Sequence, residues 1–129
     1  MRPLRITLAV IGVFQLVLGA LFLFTPSGSA HVMGLGQAAP PWANWLLGMM
    51  AGRFLGYAYG MFAASRAPRI HVHWINAMIG IQVVDWIVTL RVLLDGGLTL
   101  QQVSTASFAP VIFIAALLWF HPRRLAIEA

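Results

Sequence analysis

An arginine and an aspartate lie near the middle of two long apolar segments. Arg53 is the central residue of segment 42–64, and Asp85 lies about 3 Å along a helix axis from the centre of segment 72–94. A charged side chain at the centre of a membrane costs about 2.5–3.5 kcal/mol on insertion scales unless the protein supplies a partner. We therefore expect an ion pair between Arg53 and Asp85 on neighbouring helices.

Further polar side chains fall at the same depth. Gln15 and Gln82 each lie one residue from the centre of their apolar segments, and Tyr57 follows Arg53 by about one helical turn. Because ionisable residues inside a membrane are candidates for function, Arg53, Asp85, Gln15, Gln82 and Tyr57 form a candidate ligand-binding layer. Its ligand would be a quinone, a lipid or another small amphiphile. A second interpretation stays open, in which the ion pair only fixes the register of the helices.

Other catalytic or metal-binding patterns are absent from the sequence. There is no cysteine, which excludes thiolate chemistry, disulfides and cysteine-ligated metals. His71 and His73 are two residues apart, so on a helix they point to different faces and cannot readily share a metal ion. His121 ends the last apolar segment, and His31 stands alone in a connector. We predict no metal site, and no catalytic residue is assigned.

Four apolar segments carry these side chains. The chain has 129 residues, of which 60% are hydrophobic and 9% charged, with a mean hydropathy of +0.86. The segments span residues 4–24, 42–64, 72–94 and 103–120, and each approaches the ~20 residues that cross ~30 Å of hydrocarbon. The sequence therefore predicts an all-α protein with a single transmembrane domain over residues 1–129, folded as a four-helix bundle.

The basic residues indicate the orientation of the bundle. All eight are arginines, and six of them would lie on one side of a four-pass chain: Arg2, Arg5, Arg66, Arg69, Arg123 and Arg124. Only Arg91 lies near the other side. The positive-inside rule then places both termini in the cytoplasm and the protein in the bacterial inner membrane. A pI near 11.5 would suggest nucleic acid for a soluble chain, but this arrangement follows membrane topology and predicts no nucleic-acid partner.

Glycines recur at every fourth position of the second segment: Gly48, Gly52, Gly56 and Gly60. A stripe of small residues lets another helix approach closely in lipid. Its partner would be the first helix, through Gly12, Gly19 and Ala20, or a second protomer or another protein.

Two short runs carry a family resemblance. They are Gly48-Met49-Met50-Ala51-Gly52-Arg53-Phe54-Leu55-Gly56 and Gln82-Val83-Val84-Asp85-Trp86, together with an arginine-bearing N-terminus. With the four-segment layout, they resemble the DoxX-like group of small bacterial membrane proteins. That resemblance implies a link to quinone-dependent respiratory oxidoreductases.

The sequence is compatible with two functions, which we state as hypotheses. The first is an accessory or structural subunit of a larger membrane complex, quinone-linked and respiratory, whose buried Arg/Asp layer binds a quinone or lipid. The alternative is a small membrane enzyme that acts on a lipid-like substrate at the Arg53/Asp85 layer.

Overall fold

Every regular element in the described part of the chain is a helix. The computed structural model describes residues 1–25, 41–97, 99–100 and 104–124. Four helices follow in order: α1 (Arg2–Phe24), α2 (Pro41–Arg66), α3 (Val72–Leu94) and α4 (Ser104–Trp119). The all-α prediction is confirmed for these residues, and each helix begins and ends within two residues of its predicted limits. His31 and the connector around it lie outside the described residues.

The helices form an antiparallel four-helix bundle. Helix α1 packs most extensively on α2, and α3 on α4, while smaller contacts join α1 to α4 and α2 to α3. The four helices therefore close into a ring in which α1 and α3 are diagonal to each other.

The buried core lies in one half of the bundle. It combines the start of α1, the end of α2, the start of α3 and the end of α4. Its fully or almost fully buried members are Leu4, Leu8, Ile11, Met61, Ala64, Ile75, Met78 and Leu117. The six arginines of the predicted cytoplasmic side lie at this same end, because they flank these four helix ends.

Two glycines of α1 allow its close contact with α2. A Cβ on Gly12 would lie 2.9 Å from Cε1 of Phe62, and one on Gly19 would lie 2.9 Å from Cδ2 of Leu55. Gly12 and Gly19 therefore lie against α2. The side chains that they receive, however, belong to Leu55 and Phe62 rather than to the glycine stripe of α2.

The glycine stripe of α2 is mostly open among the described residues. No described atom lies within 4 Å of a Cβ placed on Gly48, Gly52 or Gly56, whereas a Cβ on Gly60 would overlap the ring of Trp74 in α3. An α-helix has 3.6 residues per turn, so a four-residue repeat winds by about 40° at each step and about 120° from Gly48 to Gly60. One straight neighbour cannot contact all four glycines. Packing inside the bundle is therefore found only for Gly60.

A glycine turn ends α3. Gly96 has a φ of 73°, in the left-handed region that glycine adopts without steric cost. The amides of Gly96 and Gly97 donate to the carbonyls of Leu93 and Val92, which closes the helix end.

Two of the four helices are long and apolar enough to cross a membrane by length and composition. These are Arg2–Phe24 and Val72–Leu94. The membrane spans of α2 and α4, and the orientation of the bundle, stay predictions.

Candidate functional site

A cavity of about 280 Å³ lies between the four helices, beyond the buried core. We call it the polar cavity. Its walls are mainly aromatic and aliphatic, with four polar side chains among them. The lining residues are Phe14, Gln15, Leu18, Phe22, Met50, Phe54, Gln82, Asp85, Val88, Thr89, Ala109 and Pro110. Three of the five predicted ligand-binding residues, Gln15, Gln82 and Asp85, therefore face one cavity.

Gln15 is the most unusual of these polar side chains. It is 2% exposed, and its Oε1 has no hydrogen-bond partner. A buried acceptor left without a partner typically costs about 1–3 kcal/mol. Native proteins leave few such groups, and each one calls for a physical explanation. Protein atoms enclose this oxygen itself, although the Gln15 residue also lines the cavity.

Two of the other polar side chains, Gln82 and Thr89, donate hydrogen bonds within α3. Nε2 of Gln82 donates to Sδ of Met78 at 3.3 Å, a weak hydrogen bond. Oγ1 of Thr89 donates to the backbone carbonyl of Asp85 at 2.8 Å. Each of these contacts uses a donor of its side chain, whereas the carboxylate of Asp85, which also lines the cavity, offers acceptors when ionised.

The predicted ion pair between Arg53 and Asp85 is wrong. Among the described residues the ion pair found is Arg91 with Asp95, at 4.0 Å and largely exposed. Arg53 is exposed, and its Nη1 donates to the carbonyl of Met49 one turn back in its own helix, at 3.0 Å. It does not line the polar cavity.

The rotation of α2 about its axis explains why the pair fails to form. Successive residues of a helix point about 100° apart, and it is Phe54 that faces the cavity. Its ring contacts the ring of Phe22 in α1, with centroids 5.3 Å apart. Arg53 is consequently turned away from the cavity, although its depth in the helix is the predicted one.

Tyr57 packs at the boundary between the core and the cavity wall. It is partly buried against the core, and its ring meets Phe54 edge-on at a centroid distance of 6.4 Å. It supports the wall but is not among the lining residues. Its predicted ligand-binding role, like that of Arg53, has no contact in the described structure to support it.

The aromatic part of the cavity wall was not predicted from the sequence. Phe14, Leu18 and Phe22 follow one another at four-residue spacing on α1, on the same side as Gln15. That spacing marks one helix face, and the adjacent glutamine was the available signal that this face borders a cavity rather than a closed core.

The three described histidines lie at the core end, away from the cavity. Nε2 of His121 is 2.7 Å from Oδ1 of Asn76, which links the end of α4 to α3. Burial, and then the nearby charge of Arg123, lower the pKa of His121 below its ordinary value of 6.5. His71 precedes the first turn of α3, and His73 is exposed. In the residues that the structure describes, no group of three or more metal-binding side chains comes together.

Comparison with known proteins adds no family assignment. No family model matches the chain, and no curated protein or solved structure matches it either.

Proposed function

We propose that this chain is a four-pass protein of the bacterial inner membrane that binds a small amphiphile in the polar cavity. The observation that carries the proposal is Gln15, which lines a cavity with apolar walls and whose buried Oε1 lacks a hydrogen-bond partner. Ligand pockets combine such walls with a few placed polar groups, and at about 280 Å³ this cavity lies just below the usual ~300–1,000 Å³.

The apolar surface supports the membrane part of the proposal. Only 11% of the most apolar stretch of α3 is buried, and Val84, Ile87 and Val88 are each more than half exposed. A soluble protein rarely leaves so continuous an apolar face open to water, whereas lipid would cover it without cost. Both termini would be cytoplasmic, since the six-arginine end of the bundle faces the cytoplasm under the positive-inside rule.

Asp85 narrows the ligand class, because its carboxylate lines the cavity and accepts hydrogen bonds when ionised. A ligand that donates hydrogen bonds, such as an alcohol, an amine or a hydroquinone, complements this carboxylate. An oxidised quinone offers only carbonyl acceptors and would depend on the remaining amide hydrogens. We therefore propose that a quinone-type ligand would bind more tightly in its reduced form.

The test fills the cavity with a side chain. Ala109 lines the polar cavity, and Ala115 is exposed on the same helix. Wild type, Ala109→Leu and the control Ala115→Leu would be extracted in native-lipid nanodiscs without detergent. Mass spectrometry would then identify the small molecules that each protein retains.

We expect a compound that wild type and Ala115→Leu retain and that Ala109→Leu loses by at least tenfold. An identical set of small molecules in all three proteins would contradict the proposal. Loss of the same compound from Ala115→Leu would also contradict it, because the effect would not be specific to the cavity.

We also propose a protein partner, in line with the accessory-subunit hypothesis and the DoxX-like resemblance. Its support is the open face of Gly48, Gly52 and Gly56, where nothing in the described chain approaches within 4 Å. A helix from a second copy or from a larger complex would fit there. Gly52→Leu should abolish the association, measured by cross-linking in native membranes, whereas Gly80→Leu, at another open glycine, should not.

A further inference from the structure

A basic cleft of about 520 Å³ lies at the core end of the bundle, away from the polar cavity. It is formed by the start of α1, the last residue of α2 and the turn that leads to α3. Its lining residues are Met1, Arg5, Arg66, Ala67, Pro68, Arg69 and Ile70.

Backbone and side-chain hydrogen bonds hold the walls of the basic cleft in place. Oγ of Ser65 donates to the carbonyl of Arg5 at 2.8 Å and so ties α1 to α2. In the turn, the amides of Ile70 and His71 both donate to the carbonyl of Ala67, at 3.2 and 3.1 Å. The positions of the three arginine backbones are therefore fixed, although they come from three separate segments.

The positive charge of the basic cleft is not neutralised within the described chain. The carboxylate side chains in the described part of the chain are Asp85 and Asp95. Both lie toward the end of α3 that is far from the basic cleft. Asp85 lies about 20 Å along the helix axis from the start of α3, beyond the ~8–10 Å over which salt solutions screen charges. Asp95 pairs with Arg91. No ion pair in this part of the molecule involves Arg5, Arg66 or Arg69.

We propose that Arg5, Arg66 and Arg69 form a binding site for a phosphate group, carried by an anionic phospholipid. Guanidinium groups bind phosphate oxygens through paired, charge-assisted hydrogen bonds and remain charged at any physiological pH. The site is separate from the polar cavity and does not depend on the ligand proposed there.

The surroundings of the basic cleft favour a lipid over a free phosphate. Ile70 lines the cleft and is 75% exposed, so an apolar surface lies directly beside the charged groups. On α1, which contributes Arg5 to the cleft, Ile6, Val10 and Val13 are exposed as well. A phospholipid would place its phosphate among the arginines and its acyl chains along these side chains.

The experiment compares two variants with the same change in net charge. Arg66→Gln/Arg69→Gln removes two charges from the cleft. Arg2→Gln/Arg123→Gln removes two exposed charges from the same end of the bundle, at residues that do not line the cleft. Native mass spectrometry in detergent would measure binding of dioctanoyl phosphatidylglycerol, with dioctanoyl phosphatidylcholine as the zwitterionic probe and inorganic phosphate as a competitor.

We expect wild type to bind dioctanoyl phosphatidylglycerol at least fivefold more tightly than dioctanoyl phosphatidylcholine. The cleft variant should lose this preference and the control variant should keep it. Competition by millimolar inorganic phosphate would reassign the site from a lipid to a soluble phosphate and overturn the lipid part of the proposal. Equal losses in both variants, or no preference in wild type, would overturn the site itself, because binding would then follow total charge alone.

Discussion

At the scale of single residues, the members of the candidate ligand-binding layer differ in burial, although the sequence places them at a similar depth. Gln15 and Gln82 are 2% and 4% exposed and border the polar cavity, whereas Arg53 is exposed and bonds to its own helix. A buried acceptor without a partner is costly. An exposed guanidinium costs little in water, whereas at the centre of a membrane it costs about 2.5–3.5 kcal/mol on insertion scales. Gln15 is therefore the buried side chain in this set that has an unpaired polar atom, while Gln82 donates to Met78.

A double-mutant cycle can test whether Arg53 and Asp85 contribute independently to the free energy of unfolding. Because no ion pair joins them, the coupling energy from Arg53→Met, Asp85→Asn and the double variant should be below about 0.5 kcal/mol, as for independent sites. A buried pair would instead make each single removal cost about 3–5 kcal/mol. Unfolding by sodium dodecyl sulfate in mixed micelles measures all four proteins, and strong coupling would restore the ion pair as the organising contact.

His121 gives the bundle a dependence on pH. Its pKa is lowered in the folded state, by burial and then by Arg123, so the unfolded chain takes up this proton first as the pH falls through 6.5. Folded stability should therefore decrease as the pH falls below that value, until the folded imidazole is protonated too. The midpoint of thermal unfolding in detergent, followed by circular dichroism between pH 7.5 and 5, should fall in wild type.

The substitution His121→Gln should flatten this profile, because a glutamine side chain does not titrate. Its amide can still donate to Oδ1 of Asn76, so the link between the helices is kept. His73→Gln, at an exposed histidine at the same end of the bundle, should leave the profile unchanged. A profile that His121→Gln does not alter would assign the pH dependence to another group.

At the scale of elements, two glycines of the same stripe in α2 should respond in opposite ways to one added methyl group. Gly60→Ala would push a Cβ into the ring of Trp74, and overpacking of this kind costs about 1–3 kcal/mol. Gly52→Ala meets open space and should stabilise α2 by up to about 1 kcal/mol through helix propensity. Unfolding in mixed micelles distinguishes the two, and equal effects would mean that α2 and α3 do not meet at Gly60.

The same contrast explains which parts of the fold could be predicted. Helix limits follow from the length of each apolar run, and the expected depth of a residue follows from the rise per residue. Gln15, Gln82 and Asp85, which were expected at one level, all line the polar cavity. The rotation of a helix about its axis depends on which side chains its neighbours accept. Leu55 and Phe62 fit against the glycines of α1 and thereby set the rotation of α2. No local pattern in segment 42–64 specifies that choice, so the partner of Arg53 was predicted wrongly.

At the scale of the whole molecule, charge and polarity are distributed along the bundle axis. One end carries the closed core, the basic cleft and six arginines, and the other half carries the polar cavity. In a membrane, this arrangement would hold a phosphate at the cytoplasmic surface and open the cavity within the outer half of the bilayer. The two proposed sites would then meet different regions of the lipid and would be occupied independently.

The orientation behind that arrangement can be measured directly, because the chain has no cysteine and any introduced thiol is unique. Ile70 and Leu100 are both exposed and lie beyond opposite ends of α3. In intact cells, a membrane-impermeant maleimide should label Leu100→Cys and leave Ile70→Cys unlabelled. In inverted vesicles the two results should exchange. Labelling of both thiols from one side would mean that α3 does not cross the membrane, and the four-pass topology would have to be abandoned even though the bundle itself would stand.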